Sequence, residues 1–123
     1  MSNQENEEVR AYRYIQFQQS LMWKQHKCDI CGGFANTTHE IVYRSETRNN
    51  EEARRLSFQK ELTALLCNRC HSRVHNEGIT LQLLKKNILV YGYDSVEEAL
   101  ELLKSELNGE ILLIMPKREV TNG

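Results

Sequence analysis

The chain has 123 residues, with 16 Lys and Arg against 17 Asp and Glu, and its side chains are 40% hydrophobic and 27% charged. These proportions exclude a disordered or low-complexity protein and suit one domain with a modest core. No apolar run approaches the ~20 residues that cross a bilayer, and the polar, acidic residues 1–8 read as a disordered start with no secretory signal, so the expected setting is the cytoplasm.

Residues 9–24 lack Gly and Pro, and Tyr14, Phe17 and Leu21 recur at helical spacing, which predicts an amphipathic helix with that stripe facing the core. Cys28, Cys31, Gly32 and Gly33 mark a tight turn. Residues 37–43 are β-branched and aromatic and predict a short strand, and 44–52 a polar loop running into a helical turn at 52–56. A second strand is expected over 61–66 and a helix over 68–75. Residues 80–91 fit a helix through Leu81, Leu84 and Ile88, but 88–91 also fit a strand. Asp94 or Ser95 can cap a helix carrying Val96, Ala99, Leu100, Leu103 and Leu107, which Asn108 and Gly109 stop. Residues 111–115 predict a buried strand.

The near-zero net charge hides an asymmetry. Residues 44–73 hold seven basic against four acidic side chains, whereas 77–123 hold five against eight. Arg44, Arg48, Arg54, Arg55, Lys60, Arg69 and Arg73 form the basic stretch. A local patch of this kind is what a phosphate backbone meets, and a solvated charged surface gives the same count.

All four cysteines fall in two C-x-x-C pairs, Cys28/Cys31 and Cys67/Cys70. Two such turns present four thiolates to one ion, and the soft, redox-inert Zn2+ accepts that tetrahedron. The spacing therefore predicts a structural zinc site, in preference to disulfides or a redox pair. The 35 residues between Cys31 and Cys67 exceed what a minimal zinc ribbon needs, so something is inserted there. His39 lies in the first expected strand, and His71 and His75 stand four apart on one face of the helix after Cys70. Three imidazoles, or two with a carboxylate, leave open positions on a divalent cation for water and a substrate oxygen. Taken singly, each histidine also fits a surface or capping role, and His26 has only that reading.

The order Cys28-x-x-Cys31, then His39-Glu40-Ile41-Val42-Tyr43-Arg44, then Leu66-Cys67-x-x-Cys70-His71-x-x-x-His75 resembles the HNH endonucleases, in particular small zinc-stapled members common in bacteriophages. The resemblance covers residues 23–77. It implies an α+β fold in which a ββα-metal finger, stapled by the four-cysteine zinc site, carries an N-terminal helix and a C-terminal helical and strand extension. On that reading residues 9–77 form the nuclease domain, and 78–123 pack on its core or on a partner. The resemblance also implies hydrolysis of DNA to a 5′-phosphate and a 3′-hydroxyl around one catalytic cation, Mg2+, Mn2+ or another.

By position, the resemblance makes His39 and His71 metal ligands and His75 a further helix position that contributes in some members. It places Arg44 near the scissile phosphate. Arg44, Arg54, Arg55, Lys60, Arg69 and Arg73 become candidate phosphate contacts. Two positions depart from the pattern. The usual general base before the isoleucine is Glu40 here, so the base is Glu40 or, with a one-residue shift, His39. The middle asparagine is replaced by Leu62, with Asn49, Asn50 or Glu61 as substitutes nearby. The alternative expectation is a non-catalytic zinc module that binds DNA or protein. By resemblance it could accompany a phage terminase or other large DNA enzyme in the host cytoplasm.

Overall fold

The computed structural model describes residues 7–47 and 49–118, without the side chains of His75 and Glu77. Most of the expected disordered start, residues 1–6, and Arg48 of the basic stretch lie outside the described residues. Glu7 and Glu8 already belong to the first helix, α1 (Glu7–Trp23). Its inner face carries the buried Val9 and Ser20, with Phe17 and Leu21 half-buried against the core, and the buried Lys24 follows its last residue. At about 100° per residue, Tyr14 falls roughly 140° from Val9, and it is 64% exposed. The expected stripe is therefore corrected: only Phe17 and Leu21 of its three members turn inward. The helix ends where Gln25 and His26 adopt φ of 54° and 60°. The His26 N–H donates to Leu21 O at 2.9 Å, which satisfies one of the last helical carbonyls.

Two strands follow, β1 (Thr37–Glu40) and β2 (Thr63–Leu66), paired antiparallel with Thr37 opposite Leu66 and His39 opposite Ala64. Strand β1 stops three residues before the expected end because Ile41 and Val42 are both buried, each at 1% exposure. A continuing strand would send one of them outward. Here the chain bends, so that Ile41 joins one apolar cluster and Val42 another. The expected loop contains a short helix, α2 (Arg44–Thr47), before α3 (Glu51–Leu56), whose N-cap Asn50 accepts from Ala53 N at 3.0 Å.

Helix α4 (Asn68–Glu77) follows β2 directly, and Gly78 ends it at φ 58°. Residues 80–91 resolve as a helix, α5 (Thr80–Tyr91), and the last helix is α6 (Tyr93–Glu106). The expected strand over 111–115 is not formed. Its alternation survives, since Ile111, Leu113 and Met115 pack inward while Leu112 and Ile114 are each 78% exposed. Among the described residues the segment meets no strand, and the Leu112 N–H donates to Glu46 Oε1 at 2.8 Å instead. The C-terminal extension is thus helical with an extended tail.

The first cluster joins Cys28, Ile41, Leu65, Leu66, Cys70 and Val74 to Leu83, Leu84 and Val96 of α5 and α6. The second sits under α3 and α6 and is built from Val42, Ala53, Leu62, Ala99, Leu100 and Leu103. Leu113 and Met115 touch both. Beside the first cluster lies a buried polar tie. Lys24 Nζ donates to Asp29 Oδ2 at 2.6 Å and to Asn87 Oδ1 at 2.7 Å, while Asn87 Nδ2 donates to Thr63 O at 2.8 Å and to Glu61 O at 3.0 Å. Burial lowers the Lys24 pKa, and the Asp29 carboxylate opposes that shift.

Candidate functional site

The four cysteines converge from two unlike turns. In the first, the Cys28 N–H donates to Gly33 O at 2.7 Å and the Gly32 N–H to Cys28 O at 3.0 Å, with Gly32 at φ 75°, where a side chain would be strained. The second turn is the start of α4: Cys67 is its N-cap, and its sulfur accepts from Cys70 N at 3.4 Å. The helix N-terminus and these N–H groups favour thiolate.

The four sulfurs all lie within 4.8 Å of one another, and Cys31 Sγ stands 3.7 Å from Cys67 Sγ. A zinc–sulfur distance of about 2.3 Å gives a tetrahedron with edges of about 3.8 Å, so the residues fit the ion. These cysteines form a cluster that could hold a structural metal ion such as zinc. Without metal, burial pushes the Cys28 thiol up, but N–H groups around its sulfur outweigh that and bring it down to about 7. Burial and its thiol neighbours push Cys70 up to about 12. The Cys70 N–H lowers Cys67. Four thiols at this spacing cannot all ionise without a cation among them.

Next to this cluster, β1 and α4 bring two histidines together. The rings of His39 and His71 lie 5.7 Å apart, edge to face. His39 is 7% exposed and His71 half-buried. Ala64, the cross-strand partner of His39, is small and leaves room for the imidazole. Thr37 Oγ1 lies 3.4 Å from His71 Nδ1. With Nδ1 protonated, the ring donates to that hydroxyl and keeps its Nε2 lone pair for another partner. Thr37 was not among the expected site residues, although two residues along a strand from His39 means the same face. The His75 side chain lies outside the described residues. Among those described, the cysteines are the one group of three or more metal-ligating side chains.

Glu40 belongs elsewhere. As the next residue on β1 it points away from His39, and Arg54 of α3 donates to its carboxylate. Of the two residues expected as alternative bases, Glu40 is thus engaged by Arg54 on the face of β1 opposite His39. Arg54 is only 7% exposed and stacks on Phe58 at 4.4 Å, so it is not a surface phosphate contact. Arg55 pairs with Glu52 and lies over the Tyr12 ring, and Lys60 pairs with Glu61 at 2.6 Å. Arg44, Arg69 and Arg73 lie on exposed surface, the last two one turn apart on α4, either side of His71 in sequence. Leu62 is fully buried, and Asn50 is held as the α3 cap while donating to Glu106.

Among the described residues no helix is long and apolar enough to cross a membrane. No known protein family, curated protein or solved structure matches the chain.

Proposed function

We propose that the protein is a metal-dependent DNA endonuclease or nickase of the HNH kind, with β1, β2 and α4 as its ββα-metal finger and the cysteines as its zinc staple. The observation that carries this reading is the His39–His71 pair, held between strand and helix beside a four-sulfur cluster of zinc dimensions. His71, turned by Thr37, would hold a divalent cation through Nε2, with His75 one turn further along α4. Such a cation supplies Lewis-acid stabilisation of the charge building on the phosphate and the leaving oxygen. His39 is the base in this scheme. Imidazole is a stronger base than a carboxylate and takes a proton from water more readily at neutral pH. Water forms the new bond to phosphorus, and the bond to the 3′-oxygen breaks. Imidazole donors favour later first-row ions over Mg2+, so Ni2+ or Co2+ should support activity at lower concentration.

The test is relaxation of supercoiled plasmid by zinc-loaded protein with Mg2+, Mn2+, Ni2+ or no added ion. His39→Ala and His71→Ala run alongside, each checked for folding. Ion-dependent nicking abolished by both substitutions supports the nuclease, and no nicking with any ion rejects it. A second reading, a non-catalytic zinc module that binds DNA or protein, is favoured by one observation. Glu40 is drawn away by Arg54, and among the described residues no carboxylate joins the histidines in a metal-ligating group. Intact DNA binding without nicking would select it.

A further inference from the structure

The exposed face of α1 that carries Tyr14 borders a groove. Arg10, Arg13, Tyr14 and Phe17 stand at i, i+3, i+4 and i+7, so they form one stripe along the helix. Across from them runs the 36–38 segment at the start of β1, and the open space between has a volume of about 380 Å³. No carboxylate is among the described residues that line it. Arg13 is steadied by the Phe58 ring, 5.2 Å from its guanidinium carbon, while Tyr14 stands open to solvent. Thr37 belongs both to this groove and to the histidine pair, through His71 Nδ1. Thr37 is thus the residue at which the groove and the pair meet.

Two guanidinium groups beside an exposed aromatic ring, with hydroxyl and amide side chains opposite, match the chemistry of single-stranded nucleic acid. The arginines meet successive phosphates, and the ring offers a platform for an unpaired base. A duplex keeps its bases stacked inside and gives Tyr14 nothing to stack on. We propose that this groove binds a single-stranded DNA segment and leads it to His39 and His71, with Arg10 and Arg13 on phosphates and Tyr14 under a base. The part that concerns delivery to the histidines rests on the nuclease reading; the binding itself does not. The protein then prefers DNA with an unpaired strand, such as an overhang or flap, to intact duplex.

The experiment measures fluorescence anisotropy of a labelled short oligothymidylate, and of the matching duplex, with zinc-loaded full-length protein and no other divalent ion. Wild type is expected to bind the single strand more tightly. Tyr14→Ala should weaken that binding about tenfold, and Tyr14→Trp should restore it. The Arg10→Ala/Arg13→Ala double substitution should lower the salt dependence, as the slope of log K against log salt, by about 1.4, or 0.7 per phosphate contact. Because Arg13 also packs on Phe58, Arg10→Glu serves as an independent probe should the double variant fold poorly. Single-strand binding that is undetectable, or unchanged in Tyr14→Ala and Arg10→Glu, overturns the proposal. The plasmid assay separates the two readings. Loss of single-strand binding in groove variants without any wild-type nicking keeps the groove and rejects the nuclease. Nicking that needs His39 and His71, with binding indifferent to the groove, does the reverse.

Discussion

The two apolar clusters are built on different principles. The one under α3 and α6 is closed by side chains alone, with Val42, Leu62, Leu100 and Leu103 each at 3% exposure or less. The other contains Cys28 and Cys70 among its buried members, so two of its walls are also candidate metal ligands. One half is held by burying surface alone, while the other also carries a cysteine cluster that could hold a structural metal ion such as zinc. The histidine pair stands on the second half, where β1, β2 and α4 meet. An ion bound by the cysteines would therefore also fix the geometry of that pair.

Removing zinc is the largest perturbation expected. A structural four-cysteine site contributes on the order of 10 kcal/mol to folding, so a chelator should lower the melting temperature steeply. Hydrogen exchange would show whether the halves part. The expected result is loss of protection over 28–35 and 63–74, with α6 retaining more; simultaneous loss throughout would make the clusters one cooperative unit. Leu103→Ala attacks the other half and should cost about 2–5 kcal/mol. Zinc content measured by elemental analysis should stay at the wild-type value.

Glu40→Ala leaves Arg54 partly buried without its carboxylate and should cost about 3 kcal/mol. Nicking per folded molecule should remain within twofold of wild type, and a deep loss of rate would return Glu40 to the chemistry. Asn50→Ala removes the α3 cap for about 1 kcal/mol, read from urea unfolding. The smallest effect at neutral pH belongs to Tyr91, whose hydroxyl burial pushes up to about 12, with the Asp29 and Glu61 carboxylates adding and Ser20 opposing. A raised pKa means the folded state favours the protonated form. Its contribution is complete below the ordinary value near 10 and is lost as pH rises through about 12. The stability gap between wild type and Tyr91→Phe should accordingly be flat to about pH 10 and then move against wild type.

What could be read from the sequence was what chemistry or periodicity constrains locally. The paired C-x-x-C spacing pointed to a four-sulfur site, and helical repeats located α1 and α6, because each signal lies within a few residues. Tyr14 differs from expectation because i, i+3, i+7 spacing gives a stripe without saying which part of it the core covers. Residues 111–115 were misread because an apolar run has the composition of a strand whether or not a partner strand is in reach. The fate of Glu40 depended on Arg54, fourteen residues away, and the placement of Thr37 against His71 on a fold that joins residues 34 apart. Such long-range pairings leave no local trace.

The tie from Lys24 through Asp29 to Asn87 bears on how this scaffold could be reused. Every cysteine and every histidine of the proposed site lies before residue 77, so by composition the working part could be lifted out as a cassette. Asn87 sits outside that cassette, yet its amide is bonded both to the Lys24 ammonium beside the first cysteine turn and to the carbonyls around the start of β2. A piece cut at residue 77 would keep all its ligands and leave a buried ammonium without its Asn87 partner. The recognisable stretch is thus not a transplantable module, and grafting it into another protein would require carrying α5 with it.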